Sequence, residues 1–307
     1  MNPSVCPKVL YAAPGAGLGH LVRACAVSLH LRKEGIETRI VTNSCFAEGL
    51  RRLTGCAIDF IPSTRWVRDI PVYAAAAKPR LVVLDTFPWG LRGEWKERGG
   101  MDLRFVTIAR RLNVRSYLEA ARLEWDLSSS QLERIIVAEP LADDHLALLE
   151  SGESELLPLP GRIRFPAEEF PTVVPEPLAV HLLQDRVWLV VHTGPREEVL
   201  VLLQRAQEDM KKGGGGVVAA VILHPPDDVE CPVFELFPAS HLYGAAFRVV
   251  TGAGYGSLAD MAPWPPDKHL CVPFQRRYDD QAARLDGLDA GAEDGTPHAC
   301  EILMAAL

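Results

Sequence analysis

Two glycine-rich turns carry the residues with chemistry to offer. The first is "PGAGLGH" at 14–20, which places Gly15, Gly17 and Gly19 before His20 at the start of a helical pattern. Glycine gives up the most backbone entropy on folding, so such a cluster needs a geometric reason. A strand, a glycine turn and a helix together bring main-chain amides close to an anion or a polar ligand. The turn lacks the Gly-Lys-Ser/Thr ending of a P-loop, and its spacing departs from the dinucleotide fingerprint. Asn43 and Ser44, rather than an acid, follow the second strand pattern. At a helix N-terminus the local field disfavours an imidazolium, so His20 stays neutral and suits a general base. The plainer reading is a histidine that caps its helix or fills a polar edge.

The second turn is "TGAGYGSLADM" at 251–261, with Gly252, Gly254, Gly256 and the hydroxyl of Ser257 where a helix begins. No acid precedes Asp260 in it, so its amides are open to a diphosphate. A third candidate, "HTGPREE" at 192–198, offers Gly194 and Arg196 but sets Glu197 and Glu198 in its own first helical turn, where they compete with a phosphate. A glycine turn after a parallel strand is also often a plain connection. His192, His224 and His241 show no ligand spacing, so they read as pocket edge or surface and no metal is expected. No G-x-S-x-G elbow surrounds Ser28, Ser44 or Ser257, which argues against a serine hydrolase.

These residues need a frame. Strand-like runs at 8–13, 37–43, 79–87, 103–109 and 133–140 alternate with helical patterns near 20–34, 46–54 and 113–126. A proline-rich stretch at 158–177 reads as a linker. Strands then resume at 186–194, 217–224, 247–252 and 268–274, with a helix at 196–211 whose Val199, Leu202, Leu203, Ala206 and Met210 share one face. This alternation predicts an α/β protein of two Rossmann-like domains, 1–165 and 166–307. The pattern leaves the strand order open.

Composition narrows the partners. The 307 residues carry a net charge of −8, which argues against a nucleic-acid polymer, and a hydrophobic fraction of 48% is ample for a core. No apolar run reaches the length of a membrane span, and the first residues lack the charged and apolar regions of a signal peptide. Seven cysteines without a C-x-x-C pair read as reduced thiols, so a cytoplasmic location is expected. "RWVRDIPVY" at 65–73 mixes aromatic and basic residues and would suit a lipid phosphate or peripheral membrane contact; a solvated loop is the stronger reading. The oligomeric state is left open.

The stretch 17–44, "GLGHLVRACAVSLHLRKEGIETRIVTNS", resembles the opening of bacterial two-domain glycosyltransferases of the GT-B fold, among them the N-acetylglucosaminyltransferase that makes lipid II. "LVVLDTFPWGLRGEW" at 81–95 is similar to a D-x-F-P-x-G-x-x-x-E stretch of such transferases. The Gly-His-x-x-Arg turn also resembles that of a nucleotide-sugar hydrolase of pseudaminic acid synthesis. Residues 237–285 resemble the group's nucleotide-sugar domain, with its glycine turn, a Val-Pro strand and an Asp-Gln pair.

The resemblance implies two domains facing a central cleft and a metal-independent, inverting transfer. The donor would be a nucleotide-diphosphate sugar, UDP-linked, and the acceptor a hydroxyl, with no further cofactor. His20 would be the base, with Gly17, Gly19 and Asp85 on the acceptor side. Gly254, Tyr255, Gly256 and Ser257 would hold the pyrophosphate, and the loop with Gly194 and Arg196 would close over it. Asp260, one methylene shorter than the group's glutamate, would meet the ribose. Phe274 would line the pocket, and Asp280 and Gln281 would bond the donor sugar. The alternatives are a nucleotide-sugar hydrolase on the same scaffold and a non-catalytic GT-B-like binding subunit.

Overall fold

Val9–Ala13 (β1) is buried at every position, as a parallel strand covered on both faces must be. The computed structural model describes residues 7–15, 17–96, 103–127, 132–223, 229–286 and 293–307, and divides the chain into two compact units. The first comprises Met1–Phe165 with Gln275–Leu307, the second Pro166–Phe274.

In the first unit β1 leads through α1 (Gly19–Lys33) to β2 (Thr38–Thr42), then α2 (Ala47–Thr54), β3 (Ala57–Phe60), α3 (Trp66–Ala77) and β4 (Leu81–Asp85). The series continues with β5 (Arg104–Ala109), α4 (Val114–Ala121), β6 (Leu132–Val137), α5 (Asp143–Glu150) and β7 (Glu155–Pro158). These strands form one parallel sheet of order β3-β2-β1-β4-β5-β6-β7. Leu10, Val82, Leu84, Phe105 and Ile135 pack with Trp66, Trp95 and Tyr117 on one side of it.

The second unit repeats the plan in smaller form. It holds α6 (Glu176–Gln184), β8 (Val187–His192), α7 (Arg196–Lys212), β9 (Val217–Ile222), β10 (Val233–Phe234), β11 (Arg248–Gly252), α8 (Tyr255–Met261) and β12 (His269–Val272). Its parallel order is β10-β9-β8-β11-β12. Val199, Leu202, Leu203 and Ala206 of α7 are buried, as their shared face requires.

Three expectations change. The tail was expected with the second domain, yet residues 275–307 pack on the first unit. The cause is α10 (Thr296–Ala305), whose Ala299, Cys300, Ile302 and Leu303 are buried. It packs against α1, where the Cys300 thiol lies 3.7 Å from the carbonyl of Val27. Arg134 Nη1 adds a hydrogen bond to the Ile302 carbonyl at 3.1 Å. Residues 65–73 are not a loop: most of them lie in α3, with Trp66 and Ile70 buried and Arg65 and Arg68 both paired to Asp69. The start of the stretch read as a linker is packed into the protein, since Arg162, Ile163 and Phe165 are buried.

One buried group of the first unit carries a testable cost. His145 on α5 is fully buried, and neither ring nitrogen has a hydrogen-bond partner among the described residues. Burial lowers its pKa to about 4. The folded state therefore binds this proton less readily than the unfolded chain. Its stability is intact above the ordinary histidine pKa of about 6.5 and falls as pH drops from there towards about 4. Urea titrations at pH 7 and pH 4.5 should show His145→Leu removing roughly 2 kcal/mol of this acid loss. Parallel acid losses in the two proteins would contradict the assignment.

Candidate functional site

In a doubly wound sheet, ligands bind beyond the carboxyl ends of the strands where the winding reverses. In the first unit that point lies between β1 and β4, which pair directly. The residues just beyond them are the glycine turn 14–20 and the run Asp85, Thr86, Phe87.

These two segments meet at an ion cluster. Arg23, one turn after His20 on α1, donates through Nε (3.1 Å) and Nη2 (2.6 Å) to Asp85 Oδ1. Both side chains are buried, with 3% and 0% exposure. His20 Nδ1 lies 3.4 Å from Asp85 Oδ2, and its ring stacks on Phe87 at 5.9 Å between centroids. Gly15 is bound from the other side: its φ is +128°, and a Cβ there would sit 3.0 Å from His20 Cδ2. Its amide donates to Asn43 Oδ1 at 2.6 Å, and the Gly17 carbonyl accepts from Ser44 Oγ at 3.0 Å. A Cβ at Gly17 or Gly19 would have no neighbour within 4 Å.

The cluster fixes protonation. Burial works against an ionised Asp85, but Arg23 and His20 outweigh it and hold the carboxyl below the usual range. His20 is held below its ordinary value chiefly by burial; Asp85 opposes this, while Arg110 and Arg23 add to it. From sequence the helix terminus accounts for a neutral ring; in the folded chain desolvation is its main cause. Nδ1 lies 3.4 Å from Asp85 Oδ2 and 3.5 Å from Arg23 Nη2; with its proton directed to the carboxylate, Nε2 is the nitrogen able to accept a proton.

Residues that the sequence reading did not single out complete this edge. Thr86 has a φ of +73°, costly for a β-branched residue by about 1–3 kcal/mol. Its hydroxyl donates to Asp85 Oδ1 at 3.1 Å and accepts from Arg110 Nε at 2.9 Å. The tail adds Tyr278, edge-on to Phe87 at 5.8 Å, with its carbonyl accepting from Asn113 N at 3.0 Å. Arg284 anchors that segment, binding Glu139 through Nε at 2.7 Å and Nη2 at 3.1 Å, and Asp279 through Nη1 at 3.0 Å. Arg23 had a sequence signal, three residues after His20; the others are joined only by the fold.

Asp280 and Gln281 were expected in the nucleotide-sugar domain but fall in the first unit. Asp280 caps α9 (Gln281–Leu285), accepting from Ala283 N at 2.9 Å, and Gln281 is buried.

The second unit reverses its winding between β8 and β11, which places 192–198 and 252–257 at its carboxyl edge. His192 Nε2 lies 2.8 Å from Glu198 Oε2, so that carboxylate is turned onto the histidine. A Cβ at Gly194 would come within 2.3 Å of His192 Nε2, and one at Gly252 within 3.2 Å of the Phe274 ring. Those two glycines serve packing. Gly256 differs, since a Cβ there would meet nothing within 4 Å. Gly254 is the residue before α8, Tyr255 is buried, and Ser257 is half-buried. Asp260 lies where its charge raises the pKa of the buried Tyr243 beyond the effect of burial. Arg196 is exposed at the start of α7. His241 lies 2.9 Å from the carbonyl of Phe170, while His224 lies outside the described residues. Among the described residues, no three His, Cys, Asp or Glu side chains are grouped to hold a metal, and no helix is long and apolar enough to cross a membrane.

The sequence matches no protein-family model and no curated protein. Solved structures match along nearly the whole chain. The glycosyltransferase SnogD of Streptomyces nogalater is similar at 14% identity, covering 99% of this chain and 100% of its own, with a TM-score of 0.59. A Listeria monocytogenes protein assigned as a UDP-N-acetylglucosamine 2-epimerase shows 13% identity, 97% and 88% coverage and a TM-score of 0.58. The glycosyltransferase SsfS6 of Streptomyces sp. SF2575, solved with thymidine diphosphate, shows 15% identity, 98% and 95% coverage and a TM-score of 0.55. The chain thus has an α/β fold with two parallel sheets, that of GT-B proteins.

Asp85 is the group that holds the His20 pKa up against burial. In Asp85→Asn the imidazole should titrate at still lower pH than in the parent, followed by the His20 ring proton shifts in NMR. An equal or higher midpoint in the variant would contradict the pairing.

Proposed function

We propose that this chain is a nucleotide-sugar glycosyltransferase, transferring a sugar from a UDP-linked donor to a hydroxyl acceptor with inversion and without a metal ion. The observation that carries this reading is the His20–Asp85–Arg23 cluster at the first unit's winding reversal. It supplies a neutral imidazole whose Nδ1 faces a buried carboxylate. Nε2 takes the acceptor's proton as the oxygen attacks the anomeric carbon, and Asp85 stabilises the imidazolium that forms. The sequence resemblance to the lipid-II-forming group supports the same choice of base.

The donor belongs to the second unit in this reading. The amides of 254–257 meet the diphosphate and offset the charge that develops on the leaving group. Arg196 and Gly194 lie on the neighbouring turn, Asp260 meets the ribose, and Phe274 lines the base and sugar. The sugar-binding role expected of Asp280 and Gln281 stays in the proposal, now carried by the first unit. The solved likeness that holds thymidine diphosphate makes that nucleotide a second one to test.

Hydrolysis of the same donor is the second reading. The Gly-His-x-x-Arg turn, with Arg23 beside His20, is common to the transferases and the hydrolase that the sequence resembles and does not by itself separate the two. Incubation with donor alone separates the two: saturable, His20-dependent turnover without an acceptor selects hydrolysis.

His20→Ala should lower turnover by about 10²–10⁴-fold, the usual worth of a general base. Calorimetric titration with uridine or thymidine diphosphate should show binding unchanged in that variant. Undiminished turnover would remove His20 from the chemistry. Failure of the parent protein to bind either nucleotide would leave a non-catalytic binding subunit.

A further inference from the structure

Arg23 offers Asp85 a fork, yet the carboxylate meets it with a single oxygen. Nε at 3.1 Å and Nη2 at 2.6 Å both donate to Oδ1. A carboxylate commonly takes such a fork with both oxygens, one to each nitrogen. Here the second oxygen, Oδ2, faces His20 Nδ1 at 3.4 Å instead. Something must hold the carboxylate out of the two-oxygen pairing, and the next residue in the chain is placed to do so. The Thr86 hydroxyl donates to the same Oδ1 at 3.1 Å, so three donor atoms gather on one oxygen.

The backbone that presents this hydroxyl is one that a threonine adopts only under strain. Thr86 is buried, its φ is +73°, and its amide donates to the Ile108 carbonyl at 2.9 Å. Glycine would take that φ freely, so a β-branched residue there must be kept for its side chain. A hydroxyl both donates and accepts. It can therefore link a carboxylate oxygen, which only accepts, to a guanidinium, which only donates. Thr86 Oγ1 accepts from Arg110 Nε at 2.9 Å, and Arg110 directly follows β5, the strand beside β4. The hydroxyl is thus held from its far side and does not follow a turning carboxylate.

We propose that Thr86 is a positioning residue for the base. Its hydroxyl pins Asp85 Oδ1, keeps the carboxylate from closing on the Arg23 fork, and so reserves Oδ2 for His20 Nδ1. The bearing of this on catalysis rests on the transfer reading, whereas the placement is testable without turnover. The charged groups that bear on His20 are Asp85 on β4, Arg23 on its own helix, Arg110 past β5 and Asp279 in the tail. Asp85 has the largest effect among them, and it favours the imidazolium. Turning Oδ2 away therefore lowers the pH at which the ring titrates, and the smaller opposite effect of releasing Arg110 does not reverse this.

Thr86→Val keeps the shape and the β-branch and removes the hydroxyl. Long-range ¹H–¹⁵N spectra of this variant should show the His20 Nδ1 proton passing in part to Nε2, with a titration midpoint below that of the parent. Thr86→Ser, which has the hydroxyl without the γ-methyl, should restore both. Should Thr86→Val fail to fold, Thr86→Gly accepts the backbone without strain, lacks the hydroxyl as well, and should show the same two changes. The parent ring state, or a midpoint no lower than the parent's, in a folded Thr86→Val or Thr86→Gly protein would overturn the proposal. Failure of a folded Thr86→Ser protein to restore the parent state would also overturn it. The two readings fail separately. A protein that shows the ring shift but binds neither uridine nor thymidine diphosphate loses the transferase reading and keeps this one. Nucleotide binding together with an unshifted ring in Thr86→Val does the reverse.

Discussion

A carboxylate buried at the end of a parallel strand organises the first unit's site. Asp85 is 1% exposed, a position where an ionised group survives only if it is paired and hydrogen-bonded. Arg23 supplies the pair, and its own burial on α1 is tolerable only because Asp85 is there. Removing one partner of such a pair typically costs about 3–5 kcal/mol, because the other is left buried and uncompensated. The pair therefore fixes α1 against β4 at one defined place. His20, three residues before Arg23, then has little choice of position: Gly15 crowds its ring on one side, Phe87 stacks against it, and Asp85 faces Nδ1. The strain at Thr86 belongs to the same arrangement, since that residue turns the chain just past the carboxylate.

The second unit builds a related edge from different parts. At the end of its first strand a histidine again meets a carboxylate, here His192 with Glu198. The acid comes from the following helix rather than from a neighbouring strand, and it is only one turn inside α7. Glu198 is thereby turned towards His192, so of the two acids expected to compete with a phosphate there, one is occupied. Gly194 and Gly252 exist to let His192 and Phe274 pack, whereas Gly256 leaves space. Each glycine turn of the chain thus has one glycine pressed on a ring, Gly15 on His20 and Gly252 on Phe274, and at least one with open space beside it.

Much of this was legible before any coordinates. The strands at 9–13, 81–85 and 187–192 announce themselves because parallel strands buried on both faces read as continuous apolar runs. The turn and His20 were legible because glycines and a helix start are local signals. Asp85 was legible only through resemblance, since an acid that ends an apolar run does not say which basic group it will meet. Arg110, Glu139, Asp279 and Arg284 were not legible at all: each is an ordinary charged residue in sequence, and only the sheet order and the returning tail place them together. The tail itself was misassigned because α10 carries an apolar face without any mark of which unit it covers. Residues 65–73 misled for a related reason: their basic residues suggested a solvated or membrane-facing loop, while Trp66 and Ile70 were core residues of a helix.

The central claim is that Asp85 holds His20 as a neutral imidazole protonated on Nδ1, with Nε2 left as the base. Long-range ¹H–¹⁵N correlation of the imidazole ring at pH 7 reads this directly. The account predicts a protonated Nδ1 and an unprotonated Nε2 for His20, with that pattern lost in Asp85→Asn. A ring protonated on Nε2 alone, or on both nitrogens, would contradict it.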